Sequence, residues 1–274
     1  VTVDDSKPEF HKLWALSKRE EKKLFEKFID LVLERWRAFP EMHIFHFAPY
    51  EPSALKRLAT RHATRENELD QLLRGKRFVD LYAVARQGIR ASVESYSIKQ
   101  LEQFYGYERL EVLEDASKAL REMERLIALD MTDHLTDHHR SDVETYNKDD
   151  CLSTLALRNW LEELRSEMVA TGVELDRLES DDGDPSEEMA KVNEEVQAVF
   201  DSLTEDIVDA EPEGENQNSR WLLAHMLEYF RREDKCNWWE YFRMHDLDHE
   251  ELLRDRKGVS GLKFEAVIPG VPRA

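Results

Sequence analysis

A chain of 274 residues with 41% hydrophobic content is long enough for one large domain, or one domain and a smaller appendage, around a real core. Two cysteines, Cys151 and Cys236, exclude a disulfide scaffold and a cysteine-based zinc site, and suit a reducing compartment. A net charge of −20 argues against general attraction to phosphate. No apolar run reaches the roughly 18 residues that span a bilayer, and no signal peptide is visible, so a soluble, cytoplasmic protein without a membrane partner is expected.

The charge is unevenly spread. Residues 1–173 carry roughly −5 and residues 174–274 roughly −15. The first part is balanced enough to hold a local basic groove, for which Arg57, Arg61, Arg65, Arg74, Lys76 and Arg77 are candidates. The alternative for these residues is a solvated helix face.

In chain order, Val1–Val3 and Phe10–Leu16 read as short strands around a polar turn. Ser17 and Glu20 form a capping-box pattern, and Phe25, Phe28, Ile29, Val32 and Trp36 give the helix that follows an apolar face ending before Pro40. His43–Ala48 reads as a strand, 49–62 as a region with a helix opening near Pro52, and Thr64–Leu73 as a helix with Thr64 as candidate N-cap. Phe78–Val84 reads as a strand, Ser97–Tyr105 as a short helix, and about Asp142–Met168 as a long one. The order predicts an α/β fold, a mixed sheet covered by helices, without strict βα alternation.

Residues 174–219 form an acidic region, with 181–185 a linker signal. Within it Met189, Val192, Val196, Val199 and Leu203 recur at helical spacing, as a solvated helix on its own domain or a docking helix for another. Trp221–Arg231 is amphipathic, Trp238, Trp239, Tyr241 and Phe242 form an aromatic cluster, and Leu262–Ile268 reads as a terminal strand. Three segments are expected: 1–173, 174–219 and 220–274.

The chemistry-bearing residues fall in the first segment. Tyr146 and Asp150, four apart on a helix, share one face. A carboxylate there can hold a divalent cation, and the phenol can orient an attacking water. Glu51 follows a strand exit, placed as a metal ligand or as a first-turn helix acid. Asp80 is an acid inside an apolar strand. Asp133, His134, Asp137, His138 and His139 superficially suggest a metal site, but Leu135 stands where the zincin pattern needs Glu, so a polar loop or helix end is expected.

Taken together, His46–Arg57, Phe78–Tyr82, Ser95–Glu102 and Tyr146–Cys151 resemble, in order and spacing, the ribonuclease-H-like exonucleases of DEDD type, and more narrowly the predicted nuclease domain of bacterial RecB-like nuclease–helicase proteins. The resemblance implies a ribonuclease-H-like mixed sheet, two Mg²⁺ or Mn²⁺ ions, a nucleic-acid partner (DNA ahead of RNA) and a helicase module in the same full-length chain. It assigns Tyr146, Asp150 and Glu51 to catalysis and Glu51, Asp150 and Asp80 to metal, with Lys99, Arg57 and His46 toward nucleic acid. Two departures stand out. The family's second-motif acid is Glu51 rather than Asp. Its first-motif Asp-x-Glu has no counterpart on an apolar strand before residue 40, since Asp4 and Asp5 are adjacent in a turn; the first strand is therefore expected upstream. An incomplete acid set predicts one weak cation site, inactivity and marginal stability for this chain as it stands. The two functional expectations are a 3′–5′ exonuclease-like phosphodiester hydrolase, and a non-catalytic nucleic-acid-binding or helicase-docking module with a nuclease-like fold.

Overall fold

Helices dominate the computed structural model, which describes residues 1–4, 7–110, 113–177, 181–205, 207, 219–245, 247–255, 257–263 and 265. The chain divides into two compact units, Val1–Glu187 and Glu188–Ala274.

The first unit opens with a short antiparallel hairpin, β1 (Thr2–Asp4) and β2 (Lys7–Glu9). Phe10–Leu16, expected as a strand, is irregular. Its side chains are drawn to a helix instead: Trp14 Nε1 and Lys12 Nζ donate to the two oxygens of Glu144, and Trp14 packs on Ala119, Met123 and Val143.

Helix α1 (Lys18–Ala38) starts where Ser17 accepts from the Glu20 backbone N–H. Half of the expected capping box changes target, because the Glu20 carboxylate reaches Leu16 N rather than Ser17 N. Acids in its first turn and Arg35 and Arg37 in its last suit the helix dipole. Phe25, Ile29, Val32 and Leu33 form its buried stripe.

Two parallel strands follow in the chain, β3 (Ile44–His46) and β4 (Phe78–Asp80), with His46 opposite Asp80. Between them lie α2 (Tyr50–His62) and α3 (Glu66–Arg74). Thr64 does not cap α3; its hydroxyl donates to Glu26 on α1, and the cap position is taken by Arg65 in a left-handed conformation. Strand β4 is three residues long because Asp80 caps a new helix, α4 (Leu81–Gly88), that starts at once. Residues to Val84 were expected to stay extended. Burial of Leu81 and Ala85, four apart, is the helical period that overrides this. The strands of the described residues form two separate pairs rather than one mixed sheet.

Helices α5 (Ile98–Tyr105), α6 (Leu113–Ala128) and α7 (Asp137–Ala170) complete the unit, with a 3-10 turn at Thr132–His134. Helix α7 packs on α4, α5, α6 and β3. Ile29, Leu69, Leu72, Leu101 and Leu157 are fully buried. Thr136 and His139 form a reciprocal capping box at the start of α7, and His138 pairs with Asp142, so the histidine-rich stretch is a helix entrance.

Within the acidic stretch, residues 181–184, expected as a linker signal, are bonded to this unit. Asp181 O accepts from Arg77 Nη2 at 2.8 Å, and Arg74 Nη1 donates to Asp184 O at 3.0 Å. Gly183 sits so close to α3 that a Cβ there would lie 2.1 Å from Gln71 O, and its φ is +68°.

The second unit holds α8 (Glu187–Thr204), α9 (Ser219–Met226), α10 (Tyr229–His245) and α11 (His249–Arg254). The expected amphipathic run from Trp221 is broken at Glu228, whose φ is +57°. Arg231 on α10 donates to Asn193 on α8, and His225 on α9 lies edge-on to Phe200. Of the aromatic cluster, Trp239 is buried and Trp238, Tyr241 and Phe242 are exposed. Residues 261–263 are irregular, and most of the strand expected at Leu262–Ile268 lies outside the described residues. Among the described residues no helix is long and apolar enough to cross a membrane.

Candidate active site

The carboxyl ends of β3 and β4 lie side by side, the end of a parallel pair where ligands gather in open α/β sheets. His46 and Asp80 are opposed there. Asp80 Oδ1 accepts two backbone N–H groups, from Tyr82 at 2.9 Å and from Ala48 at 2.8 Å. The first bond caps α4. The second pins the turn at Ala48, whose φ is +64°, and this turn delivers Glu51 in the first turn of α2.

Glu51 is exposed at its surface yet crowded by protein on its inner side. Burial pushes its carboxyl up, His46 opposes the shift, and the negative charges of Asp80 and Asp150 reinforce it. Glu51 is therefore within electrostatic reach of both acids, which come from β4 and α7.

Asp150 is not alone on α7. Arg109 Nη1 donates to its Oδ1 at 2.8 Å, and the rest of the same guanidinium grips Glu102, with Nη2 to Oε1 at 2.7 Å. Glu102 is buried on α5 and also accepts from Ser153 Oγ at 2.7 Å. Burial opposes the Arg109 charge, but its bonds to Glu102 and Asp150 outweigh that and hold it firmly protonated. Tyr105 stands beside Ser153, and burial pushes its phenol up to about 12.

Tyr146, one turn before Asp150, meets two cations. Lys99 Nζ donates to its hydroxyl at 3.2 Å and lies 5.3 Å from the ring centroid, and the Arg109 guanidinium carbon lies 5.9 Å from it. Asp149 faces the other way: it is buried, accepting from Tyr107 OH and Leu110 N.

The remaining sequence candidates separate. Lys99 and Arg57 are exposed. His46 is 7% exposed, its Nδ1 2.7 Å from Ala48 O and its ring edge-on to Phe78. Its ring braces the turn before Glu51. Four of the six basic-groove candidates are engaged within the protein. Arg61 pairs with Glu21, Arg65 with Asp30 and Arg74 with Asp70, while Arg77 is buried over Trp36. Sequence reading missed Arg109 and the role of Glu102. The available signal was an acid on the Leu101 side of an amphipathic helix, where charge needs a partner.

Oxygen donors of this kind suit Mg²⁺ or Mn²⁺. Their arrangement does not close around one. Among the described residues no three His, Cys, Asp or Glu side chains are grouped to hold an ion, and Asp150 already carries a guanidinium.

These strand ends and acids sit in the segment that a family model recognises. The RNase_H_2 model, of the RNase H superfamily, matches residues 1–162, and the chain belongs to that superfamily. Its first unit is accordingly an RNase H-like domain, a nuclease-like fold of mixed α/β character with small sheets. Searches of curated proteins and of solved structures found no match.

Proposed function

We infer that this domain is the nuclease part of a DNA-processing protein, with Glu51, Asp80 and Asp150 as its acids and Tyr146 as the residue that orients water. The reading includes 3′–5′ exonuclease-like hydrolysis of phosphodiesters, a helicase module in the same full-length chain as in RecB-like nuclease–helicases, and DNA rather than RNA as substrate. What supports it is that Glu51, which follows the carboxyl end of a parallel strand pair, feels the negative charges of Asp80 on β4 and Asp150 on α7. Uncompensated like charges are costly unless a cation serves them. A bound divalent ion would supply charge neutralisation and an activated water. The chain's own contribution is clearer in detail. Asp80 fixes the turn that presents Glu51. Lys99, exposed beside the Tyr146 hydroxyl, can receive a backbone phosphate.

The test is Mn²⁺-dependent shortening of 5′-labelled single-stranded DNA by the full-length chain, against Asp150→Asn. Loss of cleavage in the variant is expected. Equal cleavage by both proteins rejects Asp150 as a catalytic acid.

A second reading is a non-catalytic module that binds nucleic acid or docks a helicase. The Arg109–Asp150 ion pair favours it, because a permanently paired carboxylate leaves no ligand for metal. Strand binding without cleavage under every divalent cation tried would decide for it.

A further inference from the structure

Residues 181–184 carry three aspartates, yet two of these turn a carboxylate oxygen back on their own backbone. Asp181 Oδ1 accepts from Asp182 N at 2.7 Å, and Asp182 Oδ1 from Asp184 N at 3.1 Å. What meets the arginines is backbone carbonyl: Asp181 O on Arg77 Nη2 at 2.8 Å and Asp184 O on Arg74 Nη1 at 3.0 Å. Gln71 Nε2 donates to Asp184 Oδ1 at 2.9 Å, and the Asp181 N–H runs the other way, to Gly75 O.

Arg77 is 5% exposed. Its hydrogen-bonded partners among the described residues are two neutral carbonyls, Asp181 O and Pro40 O, and its Nε is buried without one. A guanidinium taken out of water normally gains an opposite charge. A carbonyl is also the weaker acceptor, because a charged oxygen binds a guanidinium about twice as strongly. Arg74, which also pairs with Asp70, and Lys76 are exposed on either side of Gly75. Bonds from Asp182 and Gly183 hold the Asp181 carboxyl low, and the Lys76 charge adds to this. Three basic side chains thus lie against a segment with three acids, and the arginines are joined to it through neutral groups.

We propose that residues 181–184 are an internal cover over a phosphate-binding face made by Arg74, Lys76 and Arg77, and that a nucleic-acid strand displaces them. Phosphate oxygens replace Asp181 O and Asp184 O with charge-assisted bonds, and the aspartates are repelled by the incoming phosphates. The cover has no apolar side chain of its own, so polar contacts hold it and the hydrophobic effect does little to keep it seated. The face adjoins the amino end of β4, whereas Asp80 stands at the carboxyl end, so strand binding here is separate from chemistry there. This rests on the reading that the domain handles nucleic acid and extends it to a second surface.

The experiment reads the binding of fluorescein-labelled single-stranded DNA to the full chain by anisotropy, in EDTA so that no cleavage intervenes. Wild type is compared with Gly183→Ala and with Gly183→Ala/Arg74→Gln/Lys76→Gln, and hydrogen exchange at Asp181 N reports whether the cover is off. Gly183→Ala is expected to bind roughly tenfold more tightly, with affinity falling more steeply as salt rises, and the triple variant should lose both changes. Unchanged affinity in Gly183→Ala with its cover off overturns the proposal and leaves the nuclease reading standing. Absence of binding by all three overturns it too, and Mn²⁺-dependent cleavage then decides the nuclease reading on its own. Should Gly183→Ala fail to fold or keep its cover, wild type decides: DNA in large excess is expected to quicken exchange at Asp181 N, and unchanged exchange refutes the displacement.

Discussion

Ala48 donates its backbone N–H to Asp80 Oδ1 at 2.8 Å, so one carboxylate oxygen joins two crossings of the chain that lie 32 residues apart. The same oxygen caps α4 through Tyr82 N. Asp80→Ala removes both bonds and is expected to cost about 2 kcal/mol, a lost cap plus a stranded N–H. Asp80→Asn keeps an acceptor and should cost less than half as much. Urea denaturation of the two variants checks this, and equal losses would show that the oxygen's bonds are not what matters.

Glu102 makes a second stability prediction. Glu102→Ala leaves Arg109 and Ser153 without their shared partner in a nearly closed space, which should cost about 3 kcal/mol. The loss should change little between low and high salt, because the pair is shielded from mobile ions. A loss that disappears in high salt would place the pair in solvent.

Gly183→Ala is expected to undock 181–184 before it unfolds the unit. Its φ of +68° and the 2.1 Å approach to Gln71 O leave no room for a methyl group. Strain of this kind costs on the order of 1–3 kcal/mol. Hydrogen exchange should quicken at Asp181 N, which donates to Gly75 O, while α7 stays protected. Uniform quickening across the unit would contradict a local effect.

The pH dependence of stability should split between two glutamates. The carboxyl of Glu51 is raised by burial and by Asp80 and Asp150, so the folded state binds its proton more readily than the unfolded chain does. Stability then falls as pH rises above the ordinary carboxylate range, and Glu51→Gln should melt higher than wild type at pH 7 but not at pH 4. Glu21 runs the other way. Burial raises its carboxyl, but His62 and Arg61 outweigh that and lower it. Its contribution is present above the unfolded value and is lost as pH falls through the lower folded one, so Glu21→Gln should destabilise at pH 7 and converge with wild type in acid. Thermal melts across that range check both signs.

Helices with clear periodicity were legible from local pattern: α1 from Ser17 and its apolar stripe, α5 as a short helix, and the part of α7 after Asp142. Elements whose state depended on partners were not. Phe10–Leu16 looks extended, but Trp14 and Lys12 are held by Glu144, about 130 residues away in sequence. Residues after Asp80 look like strand because their apolar run is short, and the cap that starts α4 shows only when Asp80 meets Tyr82 N. At the site, Glu51, Asp80, Tyr146 and Asp150 could be singled out as residues. Arg109 could not, because nothing local marks which carboxylate a lone arginine will reach.

By itself, the order and kind of residues determined the superfamily, the helical stripes and which acids were worth asking about. Those properties are local, written in spacings of three, four and two along the chain. Only the tertiary structure decided which partner each charge meets: that Arg61, Arg65 and Arg74 join ion pairs, that Asp149 is buried against Tyr107, and that Arg109 stands on Asp150. Electrostatic partnership depends on distance and burial, and both are set by parts of the chain that meet only on folding.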